Sequence, residues 1–296
     1  MKNKKISIST YSLQSMFGWE KALELCKKNG FDAVDFNLEC YNIGDEIYGS
    51  SEDEFISYFT AIKEKADSLE LEIAQTHGRC IGSHPTDEKH NRWLQSVSEK
   101  DLYATSLLGA PSCVIHGASC NLWGRQSPFV LRDGCHKMYS DLIPAAEKYK
   151  VNIALETFGM TRIRGETICD IITYPEEMKK QHDILDTRYK TLCLDSGHTH
   201  HAGSCWVKSV ADTARLFGKD LTLTHLHDNM GIRDDHLIPG MGNIAWSELF
   251  DAFDEISFDG VYNFEITLSY WGTFIEDALE FLGKYLRRFV DGHGKV

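Results

Sequence analysis

Six side chains of the kind that hold divalent cations stand at the ends of separate β-rich runs: His77, His116, Glu156, Asp195, His225 and Glu265. Three more lie in the segments that follow, His198 three residues after Asp195, and Asp234 and His236 beyond His225. Imidazole and carboxylate donors suit zinc, manganese, cobalt and related divalent ions, and the mixture alone does not choose among them. Glu156, Asp195, Asp234 and Glu265 gathered in one buried place would repel one another and resist desolvation. A divalent cation offsets both costs and gives such a gathering a physical reason to exist.

Each residue also has a plainer reading. Taken alone, Glu156 or Glu265 caps a helix or closes a salt bridge, and His77 or His116 is a satisfied core imidazole. Their joint placement after separate strands favours the site. Asp195-Ser-Gly-His198 sets two ligand types at one strand exit. Asp234 and His236 share a face if locally extended, and serve equally as metal ligands or as substrate- or loop-holding groups. His227 would share the face of His225 on an unbroken strand, so periodicity leaves both open. His200 and His201 read as a solvated loop. Cys80, near His77, reads as a small buried apolar residue, with nothing beside it in sequence to select a thiolate role.

The elements that must position these groups are short β-rich runs alternating with longer amphipathic ones. The pattern predicts strands at Lys5–Ser9, Phe31–Phe36, Leu71–His77, Ser112–His116, Asn152–Glu156, Thr191–Asp195, Leu221–His225 and Val261–Ile266. It predicts helices over Trp19–Asn29, Asp53–Ser68, Asp87–Leu108, Gly134–Tyr149, Pro175–Ile184, Val207–Phe217, from Trp246, and over Phe274–Phe289. Such alternation points to a parallel α/β sheet, read here as a (β/α)₈ TIM barrel, with an open doubly wound sheet as the competing closure. The 296 residues suit one barrel, which needs roughly 250, and no Pro/Gly/Ser linker divides them, so a single domain over 1–296 is expected.

Lys plus Arg number 31 against 44 Asp plus Glu, a formal charge of −13 that disfavours non-specific attraction to nucleic acid or anionic membrane. None of the nine cysteines forms a C-x-x-C pair, no apolar run approaches the roughly 20 residues of a membrane helix, and the first lysines lead into a strand. A reduced, cytoplasmic protein is the expectation, with homo-oligomerisation left open. Gly240-Met-Gly242 lacks the G-x-G-x-x-G arrangement of a dinucleotide loop.

Read together, Leu155-Glu-Thr-Phe158, Leu194-Asp-Ser-Gly-His198, His225-Leu-His-Asp-Asn229, Asp234-Asp-His-Leu-Ile-Pro-Gly-Met-Gly242 with Trp246, and Phe264-Glu-Ile266 give the chain a family likeness. It resembles the xylose isomerase-like barrel superfamily from Ile6 to the last helix. The nearest branches are the sugar phosphate isomerases and epimerases, the ketose 3-epimerases and the endonuclease IV-like proteins. The epimerase pattern implies one divalent ion (Mn, Zn, Co or Mg) on Glu156, Asp195, His225 and Glu265. It implies Glu156 and Glu265 as the acid/base pair, and His198 and Arg233 as substrate-binding groups. The endonuclease-like pattern implies more ions: His77, His116 and Glu156 around a first, the epimerase set around a second, and His198, Asp234 and His236 around a third.

The expected activity is isomerisation or epimerisation of a small ketose or related polyol through a metal-stabilised enediolate. A multinuclear-metal phosphoesterase is the alternative, and a polyol dehydratase or a non-catalytic sugar-binding barrel stands behind it. Nucleic acid fits poorly, because no basic stripe is present to grip phosphates. The loop Gly117–Gly124 offers Trp123 as a substrate-binding wall, and Trp19, Phe36, Phe158 and Trp271 are further aromatic candidates near strand exits.

Overall fold

Parallel strands need cover on both faces, which is why these runs are short, apolar and followed by amphipathic helices. The computed structural model describes residues 4–41, 46–117, 126–159, 161–163, 166–168, 173–205 and 207–295. Eight parallel strands form the barrel: β1 (Ile6–Ser9), β2 (Ala33–Asn37), β3 (Glu72–His77), β4 (Ser112–Val114), β5 (Asn152–Glu156), β6 (Lys190–Asp195), β7 (Leu221–His225) and β8 (Tyr262–Phe264). They pair in chain order, with β8 beside β1. The circle closes where Leu226 bridges Phe264 in parallel, Leu226 N donating to Asn263 O at 2.8 Å and Glu265 N to Leu226 O at 3.1 Å.

A helix follows each strand: α1 (Tyr11–Lys28), α2 (Glu52–Ser68), α3 (Glu88–Leu107), α4 (Pro128–Tyr149), α5 (Pro175–Ile184), α6 (Val210–Phe217), α7 (Trp246–Glu255) and α8 (Ile275–Asp291). Local chemistry starts several of them. Ser51 and Glu54 form a reciprocal capping box on α2, and Asp87 accepts from Lys89 N and His90 N at the head of α3. Strand alternation divides the interior. Ile153 and Leu155 join the large core between strands and helices, while Ala154 packs in a separate small cluster with Val114, Cys193 and Leu223.

Several boundaries differ from expectation. An extra helical stretch from Tyr11 precedes the expected one, and Gly18 at φ 78°, ψ 164°, backbone that only glycine adopts without strain, separates it from the helix that runs on from Trp19 to Lys28. Strand β4 stops at Val114, leaving His116 two residues beyond, and β8 stops at Phe264, so Glu265 is the first residue past it. Features that the sequence pattern did not predict include an antiparallel hairpin, Thr161–Ile163 with Glu166–Ile168, and two short helices, Glu46–Gly49 and Ser196–His201, the latter directly after β6.

Candidate metal centre

Glu156, Asp195 and His225 are the last residues of β5, β6 and β7, and Glu265 follows β8, so strand direction alone carries all four to one rim. One donor atom from each lies within 4.8 Å of the others. His225 Nδ1 stands 2.6 Å from Glu156 Oε1 and 3.1 Å from Glu265 Oε2. The other oxygen of Glu156 faces away, 2.7 Å from His116 Nε2 and 3.7 Å from His77 Nε2. Asp195 also caps the short helix, its Oδ1 accepting from His198 N at 2.6 Å.

Four of the imidazoles are held from behind. His77 Nδ1 lies 3.0 Å from Gly78 O, His198 Nδ1 3.0 Å from Thr157 O, and His236 Nδ1 2.8 Å from Glu265 O. A carbonyl only accepts, so each Nδ1 carries the hydrogen and each Nε2 is left facing the carboxylates. His225 is turned the other way, with Nε2 3.3 Å from the buried Asp35 Oδ2 and 2.9 Å from the side-chain amide of Gln75. One nitrogen backed by an acceptor and the other presented to acids is the arrangement of metal-ligating histidines. The donor set therefore fits a divalent cation.

A second gathering comprises His198, His227, Asp234 and His236, with one donor atom of each within 4.8 Å of the rest. Asp234 Oδ2 is 3.1 Å from both His198 Nε2 and His236 Nε2. His227 stacks on His236 with ring centroids 3.8 Å apart and sets its Nε2 2.9 Å from Asp195 Oδ1. Its ring occupies the space beside Gly197, where a Cβ would come within 2.0 Å, and this explains the glycine in Asp195-Ser-Gly-His198. Asp234 and His236 converge because His236 takes φ 46°, a left-handed turn rather than the extended stretch that their spacing suggested. The loop carrying them is wound on buried Asp228, which accepts from Asn229 N, Gly240 N, Ile244 N and Trp246 Nε1 at 2.8–3.2 Å. That ties Asp228, Gly240 and Trp246 into one physical unit.

Protons balance the acids wherever no cation does. Burial pushes Glu156 upward, but charge on His225 and His116 outweighs it and holds the carboxyl well below the usual range. Glu265 is likewise lowered, burial being overcome by His225, His236 and His77. Burial disfavours charge on His77 and His236, yet Glu156 and Glu265 raise the first to about 10, and Asp234 with Glu265 the second to about 9.

The structure thus brings together Glu156, Asp195, His225, Glu265, His77, His116, His198, Asp234 and His236. Arg233 stands apart: its side chain is 79% exposed and pairs with Asp235 at 3.1 Å. Trp123 lies outside the described residues. Of the other aromatics, Phe158 touches the site, its ring 5.1 Å from those of His116 and His198. Phe36 is fully buried in the outer core, Trp19 packs against it, and Trp271 lies in a surface group with Tyr270, Phe274 and Phe281. His200 and His201 are not a solvated loop. They lie on the short helix, bonded to Asn243 Oδ1 and Ile232 O. Asp35 and Gln75 escaped the sequence reading, although a polar residue midway along a strand buried on both faces is itself a signal.

A cavity of about 230 Å³ opens beside the acids, lined among others by Ser9, Tyr11, Asn37, Glu39, His77, Cys80, His236 and Glu265. No helix among the described residues is long and apolar enough to cross a membrane.

Comparison with known proteins agrees with this architecture. An uncharacterised protein of Methanocaldococcus jannaschii is 30% identical over 153 residues, 51% of this chain and 49% of that protein. One of Sinorhizobium fredii is 27% identical over 169 residues, 53% and 48%. The chain thus spans about half the length of these relatives. Among solved structures, a D-tagatose 3-epimerase-like protein superposes with TM-score 0.72 at 22% identity, covering 97% of this chain and 99% of that one. The IOLI protein with a bound zinc atom gives 0.73 at 19%, covering 99% and 100%. L-ribulose 3-epimerase gives 0.74 at 15%, covering 98% and 94%. At such identities the likeness is one of fold. The signature described as xylose isomerase-like TIM barrel runs from residue 23 to residue 285, and the chain belongs to that family.

Proposed function

We propose that this protein is a divalent-metal-dependent isomerase or epimerase of a small ketose or related polyol. The observation that carries the reading is the pair Glu156 and Glu265, both within reach of His225 Nδ1, at 2.6 and 3.1 Å, in one cluster with Asp195. A cation held by these four groups supplies positive charge against the negative charge that builds on substrate oxygens. Both carboxyls are kept ionised by the imidazoles around them, so each is ready to accept a proton. Glu156 reaches the rim from β5 and Glu265 from beyond β8, three strands further round the ring. One removes a carbon-bound proton and the other returns a proton to the opposite face, which inverts that carbon; return to the neighbouring carbon interconverts ketose and aldose. Phe158 walls the site against water, and hydroxyl, amide and carboxylate groups of Ser9, Tyr11, Asn37 and Glu39 suit a hydroxyl-rich ligand. The cavity is smaller than the roughly 300–1,000 Å³ of drug-sized sites, which agrees with a small substrate.

The test is exchange of solvent deuterium into a panel of ketoses by chelator-stripped protein reloaded with metal. Exchange is expected in the wild type, and Glu156→Gln should slow it by on the order of a hundredfold with the fold intact. No exchange across the panel in fully loaded protein would refute the reading. The second cluster, His198, His227, Asp234 and His236, favours an alternative, a multinuclear-metal phosphoesterase. Phosphodiester cleavage without carbon–proton exchange would select it.

A further inference from the structure

The last helix carries apolar surface on both of its faces. Helix α8 buries Ile275, Ala278, Leu279, Leu282, Leu286 and Phe289, the single apolar stripe that an outer helix of a barrel needs. Phe281 nonetheless stands on the outward face at 50% exposure, and Tyr270, Trp271 and Phe274, just before the helix, are 81%, 37% and 68% exposed. These four rings line a surface groove together with Asp277 and Ala278. Phe281 is held in place there, its ring stacked on Tyr285 at 5.5 Å while the Tyr285 hydroxyl donates to Pro239 O at 2.7 Å. At these exposures the rings present on the order of 350–600 Å². That matches the largest apolar patch of a typical monomer, and it is a large part of the roughly 800 Å² that each partner of a standard complex buries.

Charge indicates what covers the groove. Asp277 and Arg288 are both exposed, and neither has an ion-pair partner among the described residues. An acid in the first turn and a base in the last suit the helix dipole, but the dipole gives no reason for the rings between them. At 3.6 residues per turn Asp277, Phe281, Lys284 and Arg288 fall in one outward stripe, with Asp277 and Arg288 about 16 Å apart along the axis. Such a stripe, acidic at one end and basic at the other, is complementary to itself when reversed. Two α8 helices laid antiparallel about a two-fold axis, level with the turn between Phe281 and Lys284, bring each Arg288 over the other copy's Asp277. A guanidinium pairs with a carboxylate and stacks on aromatic faces with the same planar group, so it suits a groove that offers both. We propose that this face is a two-fold interface with a second copy of the same chain, each copy placing its Arg288 in the aromatic groove of the other. Residue i then meets residue j and j meets i, the pattern of an isologous dimer. No residue lines both this groove and the cavity beside Glu265, so the inference goes beyond the isomerase reading and stands without it.

Sedimentation of the full chain up to about 100 µM tests the interface, a range in which a micromolar dimer is populated. The wild type should sediment as a dimer at the upper end, and Phe281→Asp as a monomer. Asp277→Arg makes both members of each pair cationic and Arg288→Asp makes both anionic, so each variant alone should self-associate at least roughly thirtyfold more weakly. Mixing these two variants sets arginine opposite aspartate at both contacts, and the mixture should dimerise about as tightly as the wild type. Circular dichroism checks that each variant is folded. Asp277→Asn and Arg288→Gln, which preserve size, read the same contact if a charge reversal fails to fold, and should weaken the dimer at least roughly tenfold. A wild type that remains monomeric at about 100 µM, a dimer that survives Phe281→Asp, neutral variants that dimerise like the wild type, or reversed variants that do not recover on mixing would each overturn the proposal. The last result would leave the two charges with a helix-dipole role alone, seen as lowered thermal midpoints without any change specific to association. Carbon–proton exchange is measured separately, so its absence from a protein that dimerises as described counts against the isomerase reading alone.

Discussion

Asp35 lies midway along β2, fully buried, with Oδ2 3.3 Å from His225 Nε2, 3.3 Å from Gln75 Nε2 and 3.2 Å from Asn263 Nδ2. His225 Nε2 also stands 2.9 Å from the side-chain amide of Gln75; with its hydrogen on Nε2 the ring would be backed by the Asp35 carboxylate and would present Nδ1 to a bound cation. Such backing fixes the tautomer and makes the ring a better ligand, and its removal costs typically 10–100-fold in metal affinity. Asp35→Asn keeps shape and volume while deleting the charge. The expected loss is therefore roughly 10–100-fold, or about 1.4–2.7 kcal/mol. Metal-free stability should not follow. Asp35 Oδ1 is buried with no hydrogen-bond partner, so a neutral amide there relieves desolvation rather than adding to it. Zinc competition against a chromophoric chelator gives the affinity, and the thermal midpoint in excess chelator gives the stability. Unchanged affinity would refute the backing role. So would a lost affinity that merely tracks unfolding of the metal-free variant.

Other expectations concern protons and the loop. His77 and His236 are raised to about 10 and about 9, above the roughly 6.5 of an unfolded imidazole, so in metal-free protein their contribution to stability is whole below about pH 6.5 and is lost as pH climbs through those values. Metal uptake near neutral pH must then expel protons; calorimetry in buffers of different ionisation enthalpy should show net release, and a buffer-independent heat would contradict it. Asp228→Ala strands four donors that now end on one buried carboxylate, and should cost at least about 3 kcal/mol in a denaturant titration. A cost below about 1 kcal/mol would show that water replaces the carboxylate there without penalty.

The barrel could be read in the sequence because its strands are short, apolar and regularly interrupted, and because a parallel sheet obliges a helix between each pair. The candidate ligands could be read as one cluster because they lie at or just past strand ends, and a parallel barrel delivers every strand end to the same rim. Both inferences need only position along the chain. Arg233 shows where that stops working: adjacent to Asp234 in sequence, it leaves the loop for solvent and pairs with Asp235. Adjacency fixed its neighbourhood and not its direction.

What escaped depends on contacts between distant segments. His227 could not be separated from His225 by period, because both point inward: His225 at the end of β7, and His227 just past it in the room beside Gly197. The left-handed turn at His236 carries no reliable mark in the sequence, because only a few per cent of non-glycine residues adopt it, even though histidine does so more often than most. Asp35 is different. Its strand is covered on both faces, so an acid at its centre already had to face another polar group inside the barrel. Polar residues at mid-strand in a parallel barrel are thus informative in the same way as those at strand ends: the ends point to candidate ligands, and the middles to the groups that would hold them still.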